Sequence, residues 1–218
     1  MSEKIDSIIF DMDGTLWDAV DSYATIWNVT LDQEGIPHNE VTRDDLLKLM
    51  GSYLDDIIRQ LLPGKEERQK LLELVMKNEA DMMPELGGVL YPDVKELIRE
   101  LSENYRLFMV SNCGASGLSN FVRYNNLQPY FIDLLSHGST GKSKADNIAC
   151  LVDRYSLKRP VYVGDTQSDA DSAHAAGVPF VWCRYGFGTV VDADATIDRF
   201  ADLPEALMNL ERSEVSKS

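Results

Sequence analysis

The chain has no run of about 18 apolar residues, the length needed to cross a bilayer. Its opening segment, Met1 to Asp6, has no apolar stretch of the kind that directs secretion. A cytoplasmic protein without a membrane partner is therefore expected. Cysteine is scarce: Cys113, Cys150 and Cys183 are odd in number, far apart and without metal-ligand spacing. Reduced thiols in or near the core are the expectation, although Cys113 neighbours a motif described below. Basic residues are also short, 21 against 36 acidic, for a formal charge of −15. That balance argues against a nucleic acid polymer as partner, and it suits solubility and a metal cofactor. Internal repeats and low-complexity tracts are absent, and no feature speaks to oligomeric state. What remains is ordinary: 44% hydrophobic and 26% charged over 218 residues, enough for one generous domain or a core with a smaller companion.

The stretch from Ser7 to Asp18 organises the rest. Ile8, Ile9 and Phe10 form a short apolar run that reads as a fully buried strand, and it ends in Asp11 and Asp13 followed by Gly14. A strand of that kind belongs inside a parallel sheet, whose C-terminal strand ends open into the ligand crevice. If the extended geometry persists past Phe10, Asp11 and Asp13 share a face and need a cation between them. Mg²⁺ suits them, being held by one or two carboxylates with water and substrate phosphate. Taken alone, the same residues also make an acidic turn at a strand end.

From residue 17 to residue 88 the spacing is helical and carries no strand signal. Tyr23, Ile26, Trp27, Thr30 and Leu31 define a first helix stopped by Gly35 and Pro37. Thr42 opens a second that ends at Gly51, Ser52 to Leu62 a third that ends at Pro63-Gly64, and Lys65 to Met83 a fourth. Pro84 to Gly88 reads as turn material. Four helices in a row interrupt the β–α alternation that a doubly wound sheet requires, so an inserted helical cap is expected. The expected division is residues 1–16 and 89–210 as an α/β, Rossmann-like core with a parallel sheet, 17–88 as the cap, and 211–218 as a polar, frayed tail.

Beyond Tyr91 the alternation begins. A helix through Leu101 precedes the strand Arg106–Val110, and a helix around Phe121 precedes a short strand near Phe131 to Leu135. A helix from Lys144 to Tyr155 leads to the strand Pro160–Val163, and a small-residue helix near Ala170 to Ala176 leads to the strand Pro179–Trp182. Ala195 to Ile197 and Leu203 to Leu207 fit a last extended segment and a terminal helix.

Three of these elements have chemically capable residues at their ends. Ser111 and Asn112 follow a strand, where a hydroxyl and exposed N–H groups can hold a phosphoryl oxygen, or can simply form a turn or helix cap. Lys142 and Lys144 offer cations in a loop before a helix, and a site rich in carboxylates needs such charge to admit a phosphate. Asp165 and Asp169 follow the strand Pro160–Val163, where Asp165 also reads as a helix cap.

The string Asp11-Met-Asp13-Gly14-Thr15-Leu16 resembles the first motif of the haloacid-dehalogenase-like hydrolase superfamily. The Ser111-Asn112, Lys142/Lys144 and Gly164-Asp165-Thr166-x-x-Asp169 segments resemble its second, third and fourth motifs, in order and across nearly the whole chain. The helical insert looks like the cap of phosphoglycolate-phosphatase-like and β-phosphoglucomutase-like members. That resemblance implies Asp11 as nucleophile and Asp13 as acid and base. It implies Mg²⁺ held by Asp11, the Asp13 carbonyl and Asp165, with Thr15 and Asp169 bracing the site. It also implies that Ser111, Asn112 and a lysine bind the phosphoryl group. The usual spacing assigns that lysine to Lys142, with Lys144 as the alternative. The implied activity is Mg²⁺-dependent hydrolysis of a small phosphorylated metabolite, such as phosphoglycolate, a sugar phosphate or a nucleotide, through an aspartyl-phosphate. A phosphomutase and a non-catalytic phospholigand-binding protein are the competing readings. Trp17, Tyr23, Trp27, Met50 and Tyr53 are candidates to face the crevice, and Gly186-Phe187-Gly188 to shape its entrance.

Overall fold

The computed structural model describes residues 4–62 and 68–215. Its centre is a six-stranded sheet in the order β5-β4-β1-β6-β7-β8. These strands are β1 (Ser7–Phe10), β4 (Arg106–Ser111), β5 (Asp133–Ser136), β6 (Pro160–Gly164), β7 (Phe180–Cys183) and β8 (Ala195–Ile197). Every pairing in it is parallel. The central strands carry apolar side chains on both faces in their middle positions because both faces are covered. Ile8 and Phe10 of β1, Leu107 and Met109 of β4, and Val161 and Val163 of β6 enter one buried cluster. Their alternates Ile9, Phe108, Val110 and Tyr162 enter a second cluster on the opposite face.

The first face is covered by α5 (Val94–Ser102), α6 (Gly117–Tyr124) and α10 (Leu203–Val215), and the second by α8 (Lys144–Tyr155) and α9 (Gln167–Ala175). From β1 the chain winds outward through β4 and β5, then crosses back to β6 beside β1 and winds the other way. The order reverses at β1, so the crevice at its C-terminal end, between the ends of β4 and β6, is where such a sheet binds ligands.

Four further helices precede α5: α1 (Val20–Gln33), α2 (Arg43–Leu47), α3 (Leu54–Leu61) and α4 (Arg68–Leu86). They pack around their own cluster, including Val20, Trp27, Leu31, Leu46, Ile58, Leu71 and Val75. Thr42 opens α2 as expected, its hydroxyl accepting from the Asp45 N–H in a reciprocal capping box. The expected helix boundary at Pro63-Gly64 and Lys65 lies outside the described residues.

Four local expectations give way. The cap is reached through a two-stranded antiparallel ribbon, β2 (Trp17–Asp18) with β3 (Val89–Leu90), where the pattern carried no strand signal; two residues are too few to display a period. α4 continues through Pro84 to Leu86 instead of turning at Pro84. A short helix, α7 (His137–Thr140), follows β5, capped by the Ser136 hydroxyl. Finally, α10 runs to Val215, and Glu211 is tied rather than frayed, accepting from the Ile5 N–H at 2.9 Å.

Candidate active site

Asp11 is the first residue beyond β1, and its own N–H donates to the Val163 carbonyl of β6 at 2.9 Å. It follows Phe10 and shares parity with Ile9, so its side chain leaves the sheet on the face covered by α8 and α9. There it meets Lys144. The ammonium donates to Asp11 Oδ1 at 3.0 Å and to Asp169 Oδ1 at 2.5 Å. All three side chains are buried. Asp11, Asp165 and Asp169 each bring one carboxylate oxygen within 4.8 Å of the others.

Lys142, the residue that motif spacing favoured, is not at this site. It is exposed, and its backbone is engaged with Thr140 and His137. The reason is the start of α8. Ser143 is extended and caps the helix, its hydroxyl accepting from the Asp146 N–H, so Lys144 occupies the first helical position. Side chains in a first turn lean back over the helix N-terminus, which here is the sheet rim. Lys142 lies before the cap, on the outside of the loop.

The carboxylates differ in how they are held. Asp169 Oδ2 accepts from the N–H groups of Asp165 and Thr166 at 3.2 and 2.9 Å and from the Thr166 hydroxyl at 2.7 Å. Thr166, not Asp165, caps α9, with Asp169 completing a capping box. Against the upward push of burial, Lys144 and these donors hold Asp169 below the usual carboxylate range. Asp165 has weaker support: the Phe187 N–H donates to Oδ2 at 2.7 Å, and Thr15 Oγ1 lies 3.4 Å from Oδ1. Burial and the charges of Asp169 and Asp11 push it well up. The backbone can close around it only because two neighbours lack side chains. A Cβ on Gly14, at φ +78°, would stand 2.1 Å from Asp165 Oδ2, and one on Gly186 would stand 2.3 Å from Asp165 Cβ.

Asp11 itself is pushed up to about 6, by burial first and against the pull of Lys144. One ammonium therefore pairs with two of three clustered, buried carboxylates, an excess of negative charge that a divalent cation with oxygen ligands would offset. The donor set fits Mg²⁺ in kind: hard oxygens on separate, rigidly placed elements.

Asp13 stands apart from this cluster. Past Met12 the chain turns, with the Leu16 N–H donating to the Met12 carbonyl and the Gly14 N–H to the Trp17 carbonyl, so Asp13 does not continue the line of β1. Its half-buried carboxylate accepts from Trp17 Nε1 at 2.9 Å and from the Tyr23 hydroxyl at 3.2 Å. Burial, followed by the Asp11 charge, pushes it up to about 8. A carboxyl poised there can both give and take a proton near neutral pH.

Ser111 ends β4, buried at the rim, and its Oγ accepts a long bond from the Cys113 N–H. The neighbouring Asn112 reaches into the cap, its Nδ2 donating to the Gly51 carbonyl at 2.8 Å while Oδ1 is buried without a partner. Cys113 is pushed up to about 12 by burial, which makes it inert as a nucleophile.

Between rim and cap lies a cavity lined by Asp11, Asp13, Ser111, Asn112 and Lys144 below and by Tyr23, Trp27, Met50 and Glu79 above. Its volume is about 80 Å³. A single water needs on the order of 10–15 Å³, so a phosphoryl group and a few further heavy atoms fill it. Of the candidate crevice residues, Tyr23, Trp27 and Met50 line it, Trp17 reaches the site through Asp13, and Tyr53 packs on His137 with ring centroids 4.4 Å apart. Phe187 contributes its backbone to Asp165 and its ring to the cap cluster.

Sequence reasoning missed Glu79. A signal was present, because Glu79 sits four residues after Val75 and four before Met83, both buried, on the apolar stripe of α4.

Comparison with known proteins agrees with this geometry. Residues 8–183 match the family model described as haloacid dehalogenase-like hydrolase. A phosphoglycolate phosphatase of Aliivibrio fischeri is 27% identical over 200 residues, covering 86% of this chain and 87% of its own. The pyrophosphatase PpaX of Listeria innocua is 26% identical over 183 residues, covering 81% and 82%. Among solved structures, a haloacid dehalogenase-like family protein from Streptococcus pneumoniae superposes with a TM-score of 0.82 at 20% identity, covering 92% of this chain and 97% of its own. A predicted phosphoglycolate phosphatase from Haemophilus somnus does so with 0.82 at 21% identity, covering 94% and 99%. No helix among the described residues is long and apolar enough to cross a membrane. With the motif residues gathered at one sheet rim and most of the chain matched, this protein belongs to the haloacid dehalogenase-like hydrolases.

Proposed function

We propose that the chain is a Mg²⁺-dependent phosphatase of small phosphomonoesters. The reading rests chiefly on one observation: three buried carboxylates lie within 4.8 Å of one another, with a single ammonium paired to two of them, at the switch point of a parallel sheet. Asp11, Asp165 and the Asp13 main-chain carbonyl would hold the ion, with Thr15 beside Asp165. The ion supplies neutralisation of charge on the phosphoryl oxygens and the carboxylates.

Asp11 attacks phosphorus in line, forming a carboxylate–phosphorus bond as the ester P–O bond breaks. Asp13, protonated below about pH 8, gives its proton to the departing alkoxide. It then takes a proton from the water that attacks the aspartyl-phosphate, and this step returns Asp11 and releases inorganic phosphate. Ser111, the Asn112 backbone and Lys144 orient the phosphoryl oxygens, and the cap excludes bulk water. Asp169 acts by fixing Lys144. Lys144 takes the place that spacing had given to Lys142.

Phosphate release from a panel of small esters tests the reading. Turnover is expected with Mg²⁺ and lost on chelation, and Asp11→Asn is expected to reduce it by on the order of 10⁴-fold or more. Isomerisation of a sugar phosphate without free phosphate would indicate a mutase. Thermal stabilisation by one ester with no turnover of any would indicate a binding protein.

A further inference from the structure

The wall of the cavity opposite the phosphoryl site has an unusual balance of groups. Trp27, Leu46, Met50, Leu54 and Ile57 make it apolar, and Glu79 is the acid set among them. Among the described lining residues the single cation is Lys144, and its ammonium is already shared by Asp11 and Asp169. Glu79 makes no hydrogen bond or ion pair with any described residue, and burial alone pushes it up to about 7. It also borders a smaller side pocket formed with Ser116, Asn120 and Cys113. Its Oε2 lies 3.6 Å from where a methyl group on Gly114 would stand. A second lining acceptor points the same way. Asn112 Nδ2 is committed to the Gly51 carbonyl, which leaves the buried Oδ1 without a donor. Glu79 is therefore a half-buried acceptor without a donor among the described residues, with the Ser52 hydroxyl in the same lining, and an acceptor drawn out of water is costly until a donor reaches it.

We infer that Glu79 is a specificity-determining residue. It admits small phosphate esters whose leaving group carries hydroxyl or ammonium donors, and it rejects those whose leaving group carries a second anion. The inference rests on the phosphatase reading and narrows it. A carboxylate or a second phosphate in the leaving group would meet Glu79 across a water-poor space with no free cation among the described residues, where like charges repel strongly. A hydroxyl or ammonium group there would give Glu79 the donor it lacks. The substrates in the names of the two relatives above, phosphoglycolate and pyrophosphate, thus fall on the rejected side for this chain.

Three esters of one skeleton test this: 2-hydroxyethyl phosphate, 2-aminoethyl phosphate and phosphoglycolate, with p-nitrophenyl phosphate as an uncharged-leaving-group reference, all with Mg²⁺. The readout is the ratio of kcat/KM values within one preparation, which does not depend on how much of a variant is folded. The wild-type chain is expected to favour the hydroxyl and amino esters over phosphoglycolate by at least about tenfold. Glu79→Gln is expected to bring the hydroxyl-to-carboxylate ratio towards one, and Glu79→Arg to invert it. If turnover of the small esters is too slow to resolve, the same ratios are read from their inhibition constants against the reference. Equal use of phosphoglycolate and 2-hydroxyethyl phosphate by the wild type, or a ratio that Glu79→Gln leaves unmoved, overturns the inference while the phosphatase reading stands. Failure to hydrolyse any of the four esters defeats the phosphatase reading and takes the inference with it.

Discussion

The two walls of the crevice are built on opposite principles. The sheet rim carries carboxylates, an ammonium and hydroxyls tied to one another by short bonds from strands and helix starts of the central fold. The cap wall is mostly apolar, drawn from helices around a separate cluster, and it meets the rim through a few contacts such as Asn112 to Gly51 and Tyr53 on His137. A polar network in a low-dielectric setting has one satisfied arrangement, which suits a phosphoryl group that is the same in every ester. An apolar wall with one acid constrains only size and charge, and it can differ between relatives without disturbing the rim. The contrast predicts that damage to the rim is global and damage to the seam local.

The largest stability effect should follow removal of the rim's ammonium. Lys144→Ala leaves Asp11 and Asp169 buried beside Asp165 with no counter-charge, and breaking a buried pair in this way costs about 3–5 kcal/mol. Lys142→Ala, two residues away and exposed, should fall within about 0.5 kcal/mol of the parent. Chemical denaturation of the two variants in metal-free buffer separates them. Equal midpoints would mean that Lys144 is not the rim's counter-charge.

That pair of lysines also marks how much could be read in advance. The strands were legible because burial on both faces leaves an unbroken apolar run, and Ile8 to Phe10 and Arg106 to Val110 form where they were expected. The strand-end acids were legible because each stands where an apolar run stops, and the motif order separated them from ordinary turns and caps. Choosing between Lys142 and Lys144 required knowing that Ser143 caps α8, and a Ser-x-x-Asp pattern from Ser143 to Asp146 was there to be read. The same pattern from Thr166 to Asp169 would have moved the cap of α9 off Asp165. The β2–β3 ribbon left no trace because two residues carry no period, and Asp13's turn towards Trp17 is made by backbone bonds, from the Leu16 N–H to the Met12 carbonyl and from the Gly14 N–H to the Trp17 carbonyl, that no side-chain pattern displays. Glu79 was hidden by the opposite effect: charged residues on helices usually face water, so an acid on an apolar stripe reads as surface until the stripe is placed.

A smaller effect should appear in how stability responds to pH. Without metal, Asp11, Asp13 and Glu79 are pushed up to about 6, 8 and 7 from ordinary values of 3.8, 3.8 and 4.5. Between pH 4 and 8, spanned by those values, the folded chain binds more protons than the unfolded one, so stability falls as pH rises through that window. Asp169, held below 3.8, contributes only under the window, where its support is lost on protonation. Thermal melts of the metal-free chain should therefore peak on the acid side of neutrality. Added Mg²⁺ should raise the melting temperature more at pH 8 than at pH 5.5, because the cation binds the ionised carboxylates. A metal-free melting temperature that climbs from pH 5.5 to 8 would show that the rim does not carry the excess charge assigned to it.

The seam should give the smallest change. Asn112→Ala removes the bond from Nδ2 to the Gly51 carbonyl, and it also removes the buried, unpartnered Oδ1, whose desolvation had been a cost. The net effect of one such bond is about 0.5–1.5 kcal/mol, and here the lost acceptor offsets part of it. Denaturation midpoints should barely move. Amide exchange in α2 and α3 should quicken, because the freed Gly51 carbonyl can turn to water only if the cap lifts from the rim. Exchange in β1, β4 and β6 should stay as slow as in the parent. A uniform rise across strands and cap alike would mean that the two walls open as one unit, and the difference between them would then be chemical rather than mechanical.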